Sequence, residues 1–341
     1  MNLHTRRSEL PSTANGSAEA LPGFRRPNFF IIGSMKSGTT YLWSLLALHP
    51  SIFLSDPKEP SHFVDPAQLR DLWPRAWEQG YWKSEDAYLD LFRSAGTAPI
   101  IGEASVHYTH FPRAWGVAER IHRFNPDARL LYLMRDPIER TLSHYWHRAR
   151  WFREYRSLST AIKNDPQYVD VSHYAMQLTP YFKLFPRDQI KAVTLEELIG
   201  NTRATVESIM RWLKVDCSIP VPSLSPENVT PETIEQRIGG GLFDDLRTKN
   251  RLLREVIDRS PAFLRRAGAR MMTKRIVRAA VDTSEIVQYL RPLQQKQTEE
   301  LAQLLGRQFP EWTTLYPDGL PHGKTGDSIS SLLIARRSEL V

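Results

Sequence analysis

Lys36, Glu59, Arg135 and Ser143 are the side chains whose settings say most about chemistry in this chain. Lys36 lies within Gly33-Ser34-Met35-Lys36-Ser37-Gly38-Thr39-Thr40, a glycine-bounded loop between the apolar run Phe29-Phe30-Ile31-Ile32 and the helical pattern Tyr41–Leu46. Successive backbone N–H groups leading into a helix N-terminus attract anions, so the loop predicts a bound phosphate. Its two glycines fall where a Walker-type loop has its own. Thr39, however, takes the position where that loop requires lysine, and Lys36 comes earlier. The displaced lysine argues against ordinary ATP hydrolysis and for a different group transfer.

Arg135 closes the apolar stretch Arg129–Met134 and is followed by Asp136-Pro137 and a helical run from about Ile138 to Phe152. An arginine at a strand end can fork onto phosphate oxygens, and Ser143, eight residues on, can reach the same anion from the helix. Taken alone, Arg135 could equally pair with Asp136 or a helix end. With the Lys36 loop it makes a second anion site. Glu59 stands in Asp56-Pro57-Lys58-Glu59-Pro60, a loop stiffened by two prolines. There it can accept a proton as a general base, or it can cap a helix or pair with Lys58.

These residues matter only if one scaffold gathers them. Strands are predicted over 28–33, 51–55, 99–103, 129–134 and 189–194. Helices are predicted over 39–48, most of 66–95, 113–124, 138–152, 173–185, 203–213 and 292–306. Such alternation implies a mostly parallel sheet covered by helices on both faces, a three-layer P-loop-like α/β fold. Ligands bind such sheets beyond the carboxyl ends of the strands. The loop, Glu59, Glu103 and Arg135 all follow strands and should converge there.

The 341 residues are 41% hydrophobic and 24% charged, an ordinary globular balance, and no Gly/Ser-rich linker or internal repeat divides them. One domain over 25–318 is expected, between a disordered start (1–24) and a tail (319–341). Residues 1–22 lack the apolar core of a signal peptide, and no later run approaches about 18 apolar residues. The one cysteine, Cys217, excludes an intramolecular disulfide and fits a reducing compartment. A soluble, cytoplasmic protein is the expectation. The net charge of +7 is local: Asp244–Arg278 holds eleven basic residues against four acidic ones. This insertion, about 240–284, is expected to be helical with breaks at Pro261 and Gly268. Phe263, Leu264, Met271, Met272, Ile276 and Val277 among the arginines suit a membrane-surface helix or a lid over an anion, beside the plainer reading of a solvated helical face. No nucleic-acid partner is expected, and no Cys/His zinc spacing is present.

Gly33–Thr40 and Arg135–Ser143 together resemble the two phosphate-binding elements of the sulfotransferases that use 3′-phosphoadenosine 5′-phosphosulfate. The resemblance covers roughly residues 27–215 and Leu290–Trp312. It implies that Lys36, Ser37, Gly38, Thr39 and Thr40 hold the 5′-phosphosulfate and that Arg135 and Ser143 hold the 3′-phosphate. It also implies that Tyr174, in Ser172–Leu178, lies near the nucleotide. Lys58-Glu59-Pro60-Ser61-His62-Phe63 is similar to a segment of the Golgi glycan sulfotransferases and their bacterial relatives. That likeness implies Glu59 as catalytic base, a carbohydrate or glycolipid acceptor, and no metal. A small lipid or aromatic alcohol is the alternative acceptor.

The cytosolic phenol and steroid enzymes use a histidine after the third strand instead. Here that region carries His107 and His110 without their Lys-Thr-His pattern, and Ala104 stands where glycan-type enzymes often have lysine. The late phosphate loop of the glycan enzymes has Arg237–Gly241 or residues 265–275 as candidate replacements. Glu103 reads as a substrate contact or a carboxylate supporting the site from behind, or as a structural ion pair. His62 reads as a second base, a substrate contact or a structural histidine, and His107 as a substrate contact. Trp73, Trp77, Tyr81 and Trp82 could stack on a sugar or lipid, or build core. A kinase with a variant phosphate loop and a non-catalytic binding module are the competing classes.

Overall fold

The apolar run after Pro27 is buried at every residue, the pattern of a strand covered on both faces. It forms β1 (Phe29–Gly33) in a computed structural model that describes residues 25–151, 154–221, 224, 231–237 and 273–320. With β2 (Ile52–Leu54), β3 (Ile100–Ala104), β4 (Arg129–Met134) and β5 (Ile190–Thr194) it makes a sheet in the order β2-β3-β1-β4-β5, every pairing parallel. Each connection is a crossover through helix, so all strands present their carboxyl ends to one edge.

Alternate side chains divide two cores. Phe29 and Ile31 of β1 pack with Leu131 and Leu133 against α1 (Thr39–Ala47) and, later in the chain, α11 (Thr202–Leu213). Phe30, Ile32, Leu130, Tyr132 and Met134 face the other way. That layer draws on helices from most of the chain between: α2 (Pro66–Leu72), α3 (Pro74–Gln79), α4 (Glu85–Leu89), α5 (Val117–Phe124), α6 (Pro137–Trp151), α7 (Leu158–Asn164), α8 (Gln167–Asp170) and α9 (Tyr174–Phe182). Helix α10 (Leu195–Gly200) follows β5 directly, and the long α12 (Ser284–Leu305) closes the second layer. The expected three-layer α/β fold is present, and α12 begins eight residues before the helix predicted from 292.

The basic insertion differs from expectation. Residues 273–277, read as helical, form strand β7 (Thr273–Val277), antiparallel to β6 (Thr233–Arg237), and 278–280 make a single tight turn. Ile276 lies opposite the buried Ile234 and packs at the edge of the core, so the hairpin is fixed by a cross-strand apolar pair. The rest of the basic insertion, 238–272, lies outside the described residues, as do 1–24 and 321–341. Among the described residues no helix is long and apolar enough to cross a membrane.

Candidate active site

The turn from β1 to α1 is built for an anion. Ser34 donates its amide to the Leu133 carbonyl at 2.7 Å, which ties the loop to β4. Gly33 (φ +148°) has the Thr109 hydroxyl where a Cβ would stand, and Gly38 (φ +89°) has Leu195 Cδ1 at 2.6 Å from that place. Neither position tolerates a side chain. Gly38 caps α1 with no side-chain acceptor, and the first turn carries no acid, so the helix N-terminus keeps its partial positive charge. Lys36, in left-handed backbone (φ 68°), lines a cavity of about 910 Å³ together with Gly38, Thr39 and Thr40.

Arg135 and Ser143 line the same cavity. Asp136 starts α6 by accepting the amides of Ile138 (3.0 Å) and Glu139 (3.3 Å). Its other oxygen takes the amides of Thr314 and Leu315, both at 3.0 Å, which pins the segment after α12 beside the site. Arg135 pairs with Glu139 at 3.1 Å, one turn into α6, in place of the Asp136 pairing weighed from sequence.

Glu59 enters from the loop after β2. Its amide bonds the Ala104 carbonyl at 3.0 Å, and Glu59 and Ser61, on either side of Pro60, both have left-handed backbone (φ 66° and 56°). Two non-glycine residues in this region store strain of order 1–3 kcal/mol each, as functional loops often do. The carboxylate lines the cavity, with Oε1 taking Lys58 Nζ at 2.8 Å and Oε2 the Val106 amide at 2.8 Å. Burial would raise its pKa, but the charge of Lys58 and these two hydrogen bonds outweigh it and hold Glu59 below the usual carboxylate range. It is ionised at neutral pH, the state a base requires. Lys58 also reaches Thr39 Oγ1 at 3.3 Å, so a single ammonium joins the Glu59 loop to the phosphate loop.

Burial, then the charges of Arg135, Arg278 and Arg150, lower the pKa of Lys36 from 10.5 to about 8. The site concentrates positive charge that a polyanion would neutralise.

Several sequence-expected site residues lie elsewhere. Ser37 is fully buried and turns its side chain away from the cavity. Tyr174 is buried below it and donates to the Arg135 carbonyl at 2.7 Å, so it supports the backbone of Arg135 rather than lining the cavity. His62 stacks on Tyr88 (4.2 Å between centroids) and bonds the Tyr81 carbonyl at 2.7 Å, away from the cavity, and burial lowers its pKa. Glu103 is neither a substrate contact nor half of an ion pair. It lies inside β3, fully buried, and takes hydrogen bonds from Tyr88, Ser105 and Tyr108. The aromatic group divides: Trp73 lines the cavity against His107, whereas Trp77 and Trp82 stack on each other. His107 remains at the cavity wall.

A sequence profile described as the Sulfotransferase family matches residues 27–218, more than half of the chain. The chain belongs to the sulfotransferase family. It is 27% identical over 248 aligned residues to human Carbohydrate sulfotransferase 15, covering 55% of this chain and 44% of that one. Over 131 residues it is 33% identical to Membrane-associated sulfotransferase kil1 of Dictyostelium discoideum, covering 38% of this chain and 25% of that one. Over 207 residues it is 25% identical to human Bifunctional heparan sulfate N-deacetylase/N-sulfotransferase 3, with 56% and 22% covered. The chain spans less than half the length of these relatives. A solved sulfotransferase from Alicyclobacillus acidocaldarius shares the fold at a TM-score of 0.60 and 23% identity, over 84% of this chain and 99% of that one.

This sulfotransferase-family cavity also holds residues that sequence reasoning missed. Arg150 and Trp151 follow Ser143 at seven and eight residues on α6 and line the cavity with it. That spacing is one helical face, and extending it from Ser143 would have found them. Arg278 reaches the cavity from the end of β7. No sequence-local signal marks it, because its placement depends on pairing with a strand far earlier in the chain. Lys58 and Arg113 are further cations of the wall. Among the described residues no group of three or more His, Cys, Asp or Glu could hold a metal ion.

Proposed function

We propose that this protein transfers a sulfuryl group from 3′-phosphoadenosine 5′-phosphosulfate to a hydroxyl, less readily an amine, of a carbohydrate or glycolipid. The observation that carries the reading is the joint placement of Lys36, Arg135, Ser143 and Glu59 on one cavity wall, with Lys58 spanning Thr39 and Glu59. The fit to the donor is chemical: an uncapped helix N-terminus, a lysine and an arginine–serine pair are a cation and hydrogen-bond set for two separated phosphates. The relatives' names supply the carbohydrate acceptor class. The donor supplies an activated sulfuryl whose bridging oxygen leaves with the nucleotide.

In this reading Glu59 takes the proton from the acceptor hydroxyl as the new sulfur–oxygen bond forms and the bond to the nucleotide's phosphate oxygen breaks. Lys36 meets the negative charge that grows on that leaving oxygen. Backbone amides at the start of α1 and the Thr39 and Thr40 hydroxyls hold the 5′-phosphate. Arg135 and Ser143 hold the 3′-phosphate and fix the line of attack.

Calorimetric titration with 3′-phosphoadenosine 5′-phosphate, without metal, tests the donor. Tight binding is expected, and Arg135→Ala should weaken it about 10–100-fold, the worth of one charge-assisted pair. Binding of ATP with Mg²⁺ in its place would bring the kinase reading forward. The same titration should depend on pH through Lys36. An anion favours the protonated amine, so affinity should be flat below pH 8 and fall by up to tenfold per unit above it. Lys36→Arg, charged throughout this range, should abolish the fall.

A further inference from the structure

We propose that Glu103 is a positioning residue: through Ser105 and Ser61 it sets the path of the Glu59–Ser61 loop and the tautomer of His107, which then offers a bare Nε2 to the acceptor. For turnover this rests on the reading of Glu59 as the base. For the state of the His107 ring it does not.

The hydrogen bonds from Glu103 to the Ser61 amide have a determined direction. Glu103 Oε1 accepts from the hydroxyls of Tyr88 (3.1 Å) and Tyr108 (2.5 Å), and Oε2 from Ser105 Oγ (2.6 Å). Having given its hydrogen to Glu103, Ser105 Oγ is free to accept, and it takes the Ser61 amide at 3.0 Å. This bond holds Ser61 in left-handed backbone. Ser61 Oγ lies 3.1 Å from the Glu59 carbonyl and 2.7 Å from His107 Nδ1; with its one hydrogen given to the carbonyl, it accepts from the ring. In this proposed arrangement His107 carries its proton on Nδ1, and Nε2 keeps a lone pair at the cavity wall. Burial lowers the pKa of His107 although Glu59 opposes it, so the ring is neutral at pH 7.

The arrangement needs Glu103 ionised. Burial raises its pKa to about 7 against the three hydroxyl bonds that lower it, and the charge of Glu59 adds to the rise. Oε1 already takes two hydrogens, so a proton settles on Oε2 and points at Ser105 Oγ. The Ser105 hydrogen must then turn away, and Oγ receives the Glu103 proton in competition with the Ser61 amide. The loop that carries Glu59 loosens, and the bond that fixes the His107 tautomer weakens with it. Turnover should fall as pH drops through 7, well above the range where Glu59 itself titrates.

The test is Glu103→Gln, which keeps the shape and mimics the neutral state. Three results are expected. Turnover on desulfated heparan and chondroitin oligosaccharides should fall about tenfold, with no acid limb near pH 7. The affinity for 3′-phosphoadenosine 5′-phosphate should stay within twofold. Nitrogen NMR of the His107 ring should move from the Nδ1-protonated form to a mixture of tautomers. Ser105→Ala removes the relay hydroxyl and should give the same results, which keeps the proposal testable if Glu103→Gln does not fold. An unchanged His107 ring and an acid limb that persists near pH 7 would overturn it. If the wild-type protein sulfates none of these glycans, the acceptor reading fails while the ring measurement still decides the role of Glu103.

Discussion

Lys36→Ala should lower kcat for sulfuryl transfer about 10³-fold while leaving the fold at least as stable as before. Removing one preorganised donor from a developing oxyanion typically costs about 10²–10³-fold, and here a full charge is lost rather than a neutral hydrogen bond. Lys36 lies half-buried at the cavity wall within the charge field of Arg135, Arg150 and Arg278. Its lowered pKa means that the empty site works against its charge. The unfolded chain holds that proton up to about pH 10.5 and the folded chain only to about 8, so below pH 8 the charged lysine carries its whole folding penalty. Deleting it removes the penalty, and the melting temperature should hold or rise. Loss of turnover with retained or increased stability is the signature of a residue kept for function. A variant that turns over normally would remove Lys36 from the mechanism.

The same physics marks where sequence reading worked and where it stopped. Lys36, Arg135, Ser143 and Glu59 were legible because topology decides their place: residues that follow parallel strands meet at one sheet edge, whatever the details of packing. The direction of Glu103 was not legible because it depends on the pleat. β3 runs one residue further than the sequence suggested, to Ala104, and period two puts Glu103 on the face of Ile101, which packs in the same core layer as Tyr88 and Tyr108. Ser37 and Tyr174 were named by their neighbourhood correctly and by their direction wrongly, since rotation within a tight loop or about a helix is set by packing partners distant in sequence. The same holds for the strand at 273–277. Arginine-rich sequence with scattered apolar residues fits a helix as well as a strand, and only pairing with Thr233–Arg237 decides between them.

Glu59→Gln should lower kcat about 10²–10⁴-fold, the usual worth of a general base, with little change in affinity for the donor nucleotide. The two effects separate because Glu59 and Lys36 act on opposite ends of the reaction. In the proposed mechanism Glu59 handles the acceptor proton, whereas the phosphates rest on the loop and on Arg135. Glutamine has a single carbonyl oxygen, so it can accept from Lys58 or from the Val106 amide, both now at 2.8 Å, but not from both, and it cannot take a proton. Lys58 would then be left without its counter-charge, 3.3 Å from Thr39, and its field would act undiminished on the phosphate loop. Donor binding should hold or tighten slightly as turnover collapses. Kinetics beside calorimetry on one preparation of Glu59→Gln reads both. A parallel loss of donor affinity and turnover would make Glu59 a structural partner of Lys58 and pass the base to another group on the cavity wall, with His107 the first to examine.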